Sequence, residues 1–204
     1  MTLPGPGGTP MASHREIFDD IYRRDLWRGD SGAGSREDVT RDYRGMLQQF
    51  LSNNAITSVV DVGCGDWQFT RHMDWSGVHY TGTDASDAVL ENTRRFSRGG
   101  VRFLHADATC DALPCADLLL AKDVLRHWSN ADITAFLPQL EKFRCALITG
   151  SFPSYAQAYV NRDMPAGANF RPVDPGKSPF GLPGAFISSF VAGDPKLVFL
   201  WMRC

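Results

Sequence analysis

The stretch Ser58-Val59-Val60-Asp61-Val62-Gly63-Cys64-Gly65-Asp66-Trp67 decides the fold of this chain. Its β-branched apolar residues predict a short buried strand, and the Gly-x-Gly behind them predicts the turn that leaves it. Glycines at 63 and 65 let the backbone approach a ligand with no Cβ in the way. The run from Trp67 to Met73 is expected to open a helix whose first free N–H groups face the same ligand. Strand, glycine turn and helix start together make a nucleotide or nucleoside site at the carboxyl edge of a sheet.

The spacing narrows the choice of nucleotide. A dinucleotide fingerprint needs a third glycine three residues after Gly65, where this chain has Gln68, and no Gly-x-x-x-x-Gly-Lys-Ser/Thr phosphate loop occurs anywhere. A second strand over Val78–Thr83 ends at Asp84, placed to accept both hydrogen bonds of a ribose diol. A third, Val101–His105, runs into Ala106-Asp107-Ala108-Thr109. The apolar run Ala116–Ala121 lacks alternation, as a parallel strand buried on both faces should.

Taken in order, Asp61-x-Gly-x-Gly, Asp84, Asp107-Ala108 and the apolar strand leading into Lys122-Asp123-Val124-Leu125 resemble the class I S-adenosylmethionine-dependent methyltransferases over roughly residues 36–150. The resemblance implies an α/β fold, with a Rossmann-like seven-stranded, mostly parallel sheet, an antiparallel last strand and helices on both faces. It implies S-adenosyl-L-methionine as cofactor. Gly63, Gly65 and Trp67 would pass under its amino-acid end, with Asp61 as support. Asp84 and Ala85 would meet its ribose, Asp107 and Ala108 its adenine edge, and Lys122 its rim. Read on its own, Asp107 is equally a solvated turn residue.

At 204 residues, 43% hydrophobic and 22% charged, the composition fits one ordinary domain with a substantial core. No apolar run approaches a membrane span, and the opening Met1–Gly8 lacks the pattern of a secretory signal, so a cytoplasmic protein is expected. A formal charge of −2 argues against a nucleic-acid partner. Five cysteines without metal-ligand spacing predict reduced thiols and no metal site. Monomer and homodimer both remain open.

Along the chain, residues 1–12 are rich in Pro and Gly and are expected to be disordered, leaving 13–204 as a single domain. Ser13-His14-Arg15-Glu16 is a capping box that predicts a helix to about residue 25, and Ser35–Asp38 is expected to cap a second helix carrying Tyr43, Leu47 and Phe50. The glycine-rich loop between them reads either as a surface loop or as a lid. As a lid it forms part of an N-terminal helical cover (13–52), with Trp27 over the methionine end and Ser35 or Arg44 at its carboxylate. A helix follows Asp84, a turn joins the third and fourth strands, and Ser129–Asp132 caps a helix ahead of a fifth strand over Cys145–Thr149. Ala185–Val191 and Leu197–Met202 flank a Gly193-Asp194-Pro195-Lys196 turn and predict a closing hairpin.

For a hydroxyl acceptor the reaction needs alignment and a proton acceptor. His127 is the candidate base, with Asp123 four residues earlier to orient it if the segment is helical. Packing and turn-capping account for the same two residues. The Pro-rich span 151–183 is expected to form the acceptor wall through Tyr155, Tyr159, Arg171 and Asp174, although Arg171 and Asp174 would equally pair with each other. The Asn/Asp-Pro-Pro-aromatic element of nucleic-acid and protein methylating families is missing, so a small hydroxylated acceptor, such as a sugar or natural-product intermediate, is expected. A protein side-chain acceptor and a noncatalytic S-adenosylmethionine-binding regulator are the alternatives.

Overall fold

Successive side chains of a strand point to opposite faces, so a sheet covered on both sides needs strands apolar at every position. In a computed structural model that describes residues 12–29, 31–151 and 159–203, five consecutive strands run parallel; the central run Leu118–Ala121 meets that demand in full, whereas Val101–His105 at the sheet edge alternates buried and exposed side chains. They are β1 (Ser58–Val62), β2 (His79–Asp84), β3 (Val101–His105), β4 (Ala116–Lys122) and β5 (Phe143–Ser151), followed by β6 (Ala185–Ala192) and β7 (Asp194–Met202). The order is β3-β2-β1-β4-β5-β7-β6, with β7 antiparallel to both neighbours. Val59, Leu118, Leu120, Cys145, Leu147 and Val198 face one core, whereas Val60, Leu119, Ala121, Ala146, Ile148 and Phe199 face the other.

The helices α1 (His14–Arg23), α2 (Arg41–Asn53), α3 (Asp87–Thr93) and α4 (Asn130–Phe136) cover the two faces. The capping boxes at Ser13 and Ser129 form as the sequence predicts. Two local expectations fail for physical reasons. Ser35 does not cap α2: it sits in a 3-10 turn, its hydroxyl is given to the Ser31 carbonyl, and the helix begins only after Thr40. The helix expected from Trp67 is reduced to a single 3-10 turn at Thr70–His72. Trp67 takes φ +60 and drops into the core against Tyr80, Phe96 and Phe103. The Gln48 side chain of α2 clasps the Asp74 backbone on both sides, so α2 closes over this segment instead.

Helix α1 is tied across the carboxyl edge of the sheet by buried polar groups. Asp19 accepts from the Ser86 hydroxyl (2.7 Å) and the Ala88 N–H (3.0 Å) at the start of α3. His14 lies between Asp107 (3.3 Å) and Asp132 (3.2 Å) and stacks on Trp128. The span after β5 forms no helix or strand among its described residues, 159–184, yet it is well tied. The Asn161 amide donates to the carbonyls of Asp174 and Ser178, and its oxygen accepts from the Asp174 N–H. No described helix is long and apolar enough to cross a membrane. The tail expected to be disordered lies, but for Ala12, outside the described residues.

Burial works against the charged form of His14, but hydrogen bonding and charge from Asp107, then Asp132, outweigh it and raise the pKa above 6.5. A raised folded-state pKa gives stability that is complete below the unfolded value and is lost as pH rises through the folded one. His14→Gln should therefore lower the melting temperature most below pH 6.5, with the gap to the parent protein narrowing at higher pH. A gap that widens with pH would reverse the assigned sign.

Candidate active site

The strand order reverses direction between β1 and β4, since β2 and β3 lie to one side and β5 to the other, and ligands of open α/β sheets bind at such a switch point. A cavity of about 830 Å³ occupies this place. Its inner wall is made by strand ends: Val62 and Gly63 after β1, Asp84 and Ala85 after β2, Ala106 and Ala108 after β3, and Lys122, Asp123 and Val124 after β4. Its outer wall is made by Tyr22, residues 26–28 and residues 31–35, and its far end by Ala168, Asn169, Phe170 and the β6–β7 turn.

The glycine turn is built for close approach. Gly63 and Gly65 both take positive φ (+66 and +54), which L side chains disfavour. A Cβ at Gly63 would stand 2.5 Å from a Val124 methyl, and one at Gly65 would collide with the Ser31 hydroxyl. Asp84 accepts from the Gly65 N–H (3.0 Å) and the Ser86 N–H (2.9 Å), which fixes its carboxylate under the turn while leaving a lone pair on each oxygen. Burial pushes its pKa up to about 6 against the pull of those two N–H groups. Asp61 lies below the cavity, fully enclosed, with the Tyr80 hydroxyl donating to it at 2.6 Å, and burial raises its pKa to about 7.

The end of β4 carries a dense ion cluster. Asp123 has φ +59 and is gripped by Lys122 (2.7 Å), Lys196 (2.7 Å) and Arg126 (3.0 Å). Burial opposes its charge, but these three cations hold the carboxyl well below the usual range. Lys122 also donates to the Gly34 carbonyl, and Lys196 donates to Asp194 (2.8 Å) and Ser151 (3.1 Å). Asp123 does not orient His127. The segment Leu125–His127 is a 3-10 turn with three residues per repeat, which sets Arg126 rather than His127 over Asp123. His127 instead donates Nδ1–H to the carbonyls of Gly167 (3.1 Å) and Asn169 (3.0 Å), since a carbonyl can only accept. Burial, then the charge of Arg126, lowers its pKa to about 4.

Other expected site residues divide by position. Trp27 and Ser35 line the cavity, and Trp27 bridges it by donating to the Ala168 carbonyl, its ring 5.0 Å from that of His127. Trp67 is core. Arg44 belongs to a separate charged groove beside α2 and binds the Glu37 carbonyl. Asp107 turns away to His14 and Thr109, leaving Ala108 at the wall. Arg171 and Asp174 stand outside the cavity and do not pair with each other. Arg171 ties the carbonyls of Arg162 and Trp128 to the Asn130 side chain, and Asp174 closes a buried turn onto Gly176. Tyr159 donates to the Pro172 carbonyl, also off the cavity, and Tyr155 falls outside the described residues. Sequence reasoning missed Ser31, Arg126, Phe170, Asp194 and Lys196. Lys196 alone left a trace, as a lysine beside the apolar run of β7. Among the described residues no group of three or more His, Cys, Asp or Glu is placed to hold a metal ion.

Comparisons with known proteins agree with this geometry. Residues 59–143 match a family model described as a methyltransferase domain. No curated protein sequence matches. Magnesium protoporphyrin IX methyltransferase from Synechocystis PCC 6803, solved with bound S-adenosylmethionine, superposes with a TM-score of 0.63 at 13% identity, over 97% of this chain and 100% of that one. The methyltransferase domain of bacterial CtHen1 gives 0.61 at 14% identity, over 81% and 100%. Human N-acetylserotonin methyltransferase in complex with S-adenosylmethionine gives 0.59 at 16%, over 94% and 60%. At these identities the structures speak for the fold, and the family match speaks for the glycine turn and the strands around it. Over residues 59–143 the chain is similar to the methyltransferase domain family, and its fold is the one these solved methyltransferases share.

Proposed function

We propose that this chain methylates a small hydroxylated acceptor, with His127 Nε2 as the proton acceptor. The observation that carries the reading is the state of His127. Its Nδ1–H is committed to two backbone carbonyls, so Nε2 alone keeps a lone pair, and the ring is neutral at physiological pH. The bridge from Trp27 to Ala168 closes over the cavity, which supports a diffusible acceptor over a protein side chain.

The residues present fit the cofactor of the family. The glycine turn offers a wall without Cβ atoms, Asp84 keeps lone pairs for a ribose diol, and Ala85, Ala106 and Ala108 leave room for a flat base. Bound S-adenosylmethionine supplies a methyl group on a sulfonium sulfur, which keeps the bonding pair and leaves as the neutral thioether. The chain's own work is alignment and proton removal: as the acceptor oxygen bonds to carbon, its proton passes to His127 Nε2. Arg126 beside the ring disfavours the imidazolium, so the proton is not retained.

Two outcomes test this. S-adenosylhomocysteine should bind in calorimetry while NAD does not. Asp84→Ala should weaken that binding by roughly 1.5–3 kcal/mol through the lost charged acceptor. Because Asp84 must be ionised to accept both hydroxyls and its pKa stands near 6, affinity should rise as pH goes from 5 to 7.5. Binding that is insensitive to both changes would remove Asp84 from the ribose site.

Turnover at saturating S-adenosylmethionine, followed by methyl transfer to a panel of hydroxylated acceptors, should be flat from pH 8 to 5 and fall only toward the His127 value of about 4. His127→Gln should lower kcat by ~10²–10⁴-fold with little change in S-adenosylhomocysteine affinity. Full activity in that variant would show that alignment suffices without a side-chain base.

A further inference from the structure

Three cations meet at the end of β4: Lys122, Arg126 and Lys196, all buried. Among the described residues, the carboxylates that contact them number two, Asp123 and Asp194, and Asp194 is 40% exposed, so solvent takes part of its charge. Asp61, the next carboxyl toward Lys122, is driven toward its neutral form by burial. A buried excess of positive charge is unfavourable unless an anion answers it.

Arg126 shows where that anion fits. Its Nη1 is spent on Asp123, but its Nε–H is buried and has no hydrogen-bond partner among the described residues. Arg126 lines the cavity together with His127, and among the described residues the ring over its guanidinium is Phe170, 3.5 Å from its charged carbon to the ring centroid. Phe170 is itself 59% exposed, so its side chain has room to turn away and open the Nε edge of the fork. That edge matches a carboxylate in shape as well as charge.

We propose that the Arg126–Lys196 corner is an anchor for a carboxylate carried by the acceptor, with Phe170 as its cover. This rests on the methyltransferase reading above and narrows it: the acceptor is an anionic hydroxylated molecule, held by its carboxylate while its hydroxyl lies toward His127. The same chemistry exists in the methionyl carboxylate of the cofactor, and the test separates the two sources.

The probes are benzoate and its neutral isostere benzamide, titrated by calorimetry and by ligand-observed NMR into the protein, first alone and then saturated with S-adenosylhomocysteine. Benzoate should bind the saturated protein at least ~10-fold more tightly than benzamide, the size expected of a charge-assisted hydrogen bond. Arg126→Gln should abolish that preference while leaving affinity for S-adenosylhomocysteine within about threefold, and Phe170→Ala should keep the preference and speed benzoate association. Equal binding of the two probes, or unchanged benzoate binding in Arg126→Gln, would overturn the proposal. So would an Arg126→Gln variant that loses S-adenosylhomocysteine but keeps 5′-methylthioadenosine, which lacks the amino-acid carboxylate. Should Arg126→Gln fail to fold, the probe comparison and Phe170→Ala still decide. If the parent protein does not bind S-adenosylhomocysteine, it is the cofactor reading that fails, and benzoate titrated into the protein alone still judges the anchor.

Discussion

Asp123 and its three cations hold together parts of the chain that the sheet alone would leave apart. β4 and β7 are separated by β5, yet Lys196 at the start of β7 reaches over β5 to the end of β4, taking the Ser151 hydroxyl on the way. Lys122 extends the cluster to the Gly34 carbonyl of the covering loop. Such a cluster is poor evidence of stability in itself, because desolvation offsets most of the Coulombic gain. Its consequence is geometric. With partners on every side, Asp123 holds a left-handed backbone that a non-glycine residue adopts only when its surroundings dictate it, and that turn directs Arg126 and His127 to the cavity.

The covering loop depends on the same economy of contacts. Ser31 receives the Asp66 N–H and donates to the Asp66 carboxylate, Gly34 receives Lys122, and Trp27 reaches Ala168 across the cavity. Each is a hydrogen bond made by a short loop to a different wall. Apart from Trp27, which packs against Phe18 and Tyr22, the loop sends no described side chain into a core, in contrast to α1 and α2 on either side, whose Phe18, Ile21, Tyr43 and Leu47 enter the two cores. Segments held mainly by polar contacts lie at the low-stability end of a fold and open before the core does. On that ground the loop is the less firmly held part of the cavity wall, with α1 and α2 anchored in the cores on either side.

What the sequence disclosed follows the range of the interactions involved. The strands were legible because burial on both faces demands a local signature, and Leu118–Ala121 carries it without help from elsewhere. The caps at Ser13 and Ser129 were legible because donor and acceptor lie three residues apart. Ser35 carried the same local pattern, but its hydroxyl found Ser31 first. Trp67 began a plausible helix until aromatic partners from β2, β3 and the turn after α3 drew it inward. Arg171 looked like a binding fork, and it is one, but for three groups of its own protein. Gly63, Asp84 and Ala108 reached the cavity wall as expected because strand ends in this topology have one place to go. Lys196 did not announce itself because it lies 73 residues from Asp123, and Arg126, three residues away, meets Asp123 only because the segment is a 3-10 turn where the four-residue spacing of a helix was expected to bring His127.

The electrostatics of the cavity divide its titratable groups by neighbour rather than by type. Asp61, Asp84 and Asp123 are all carboxyls at parallel strand ends or just beyond, and all are buried. Without a facing cation close enough to outweigh desolvation, Asp61 and Asp84 rise toward 7 and 6. With three, Asp123 is ionised throughout the physiological range. His127, one residue from Arg126, is neutral chiefly because it is desolvated, and the Arg126 charge that helps stabilise the Asp123 carboxylate adds to the penalty on an imidazolium. Arg126 thus bears on both groups, holding the Asp123 carboxylate ionised together with the two lysines and adding to the burial that keeps His127 neutral. Environments that push neighbouring pKa values apart separate structural anchors from groups able to accept a proton, and here Asp123 is held as a fixed charge while the neutral His127 keeps a free ring nitrogen.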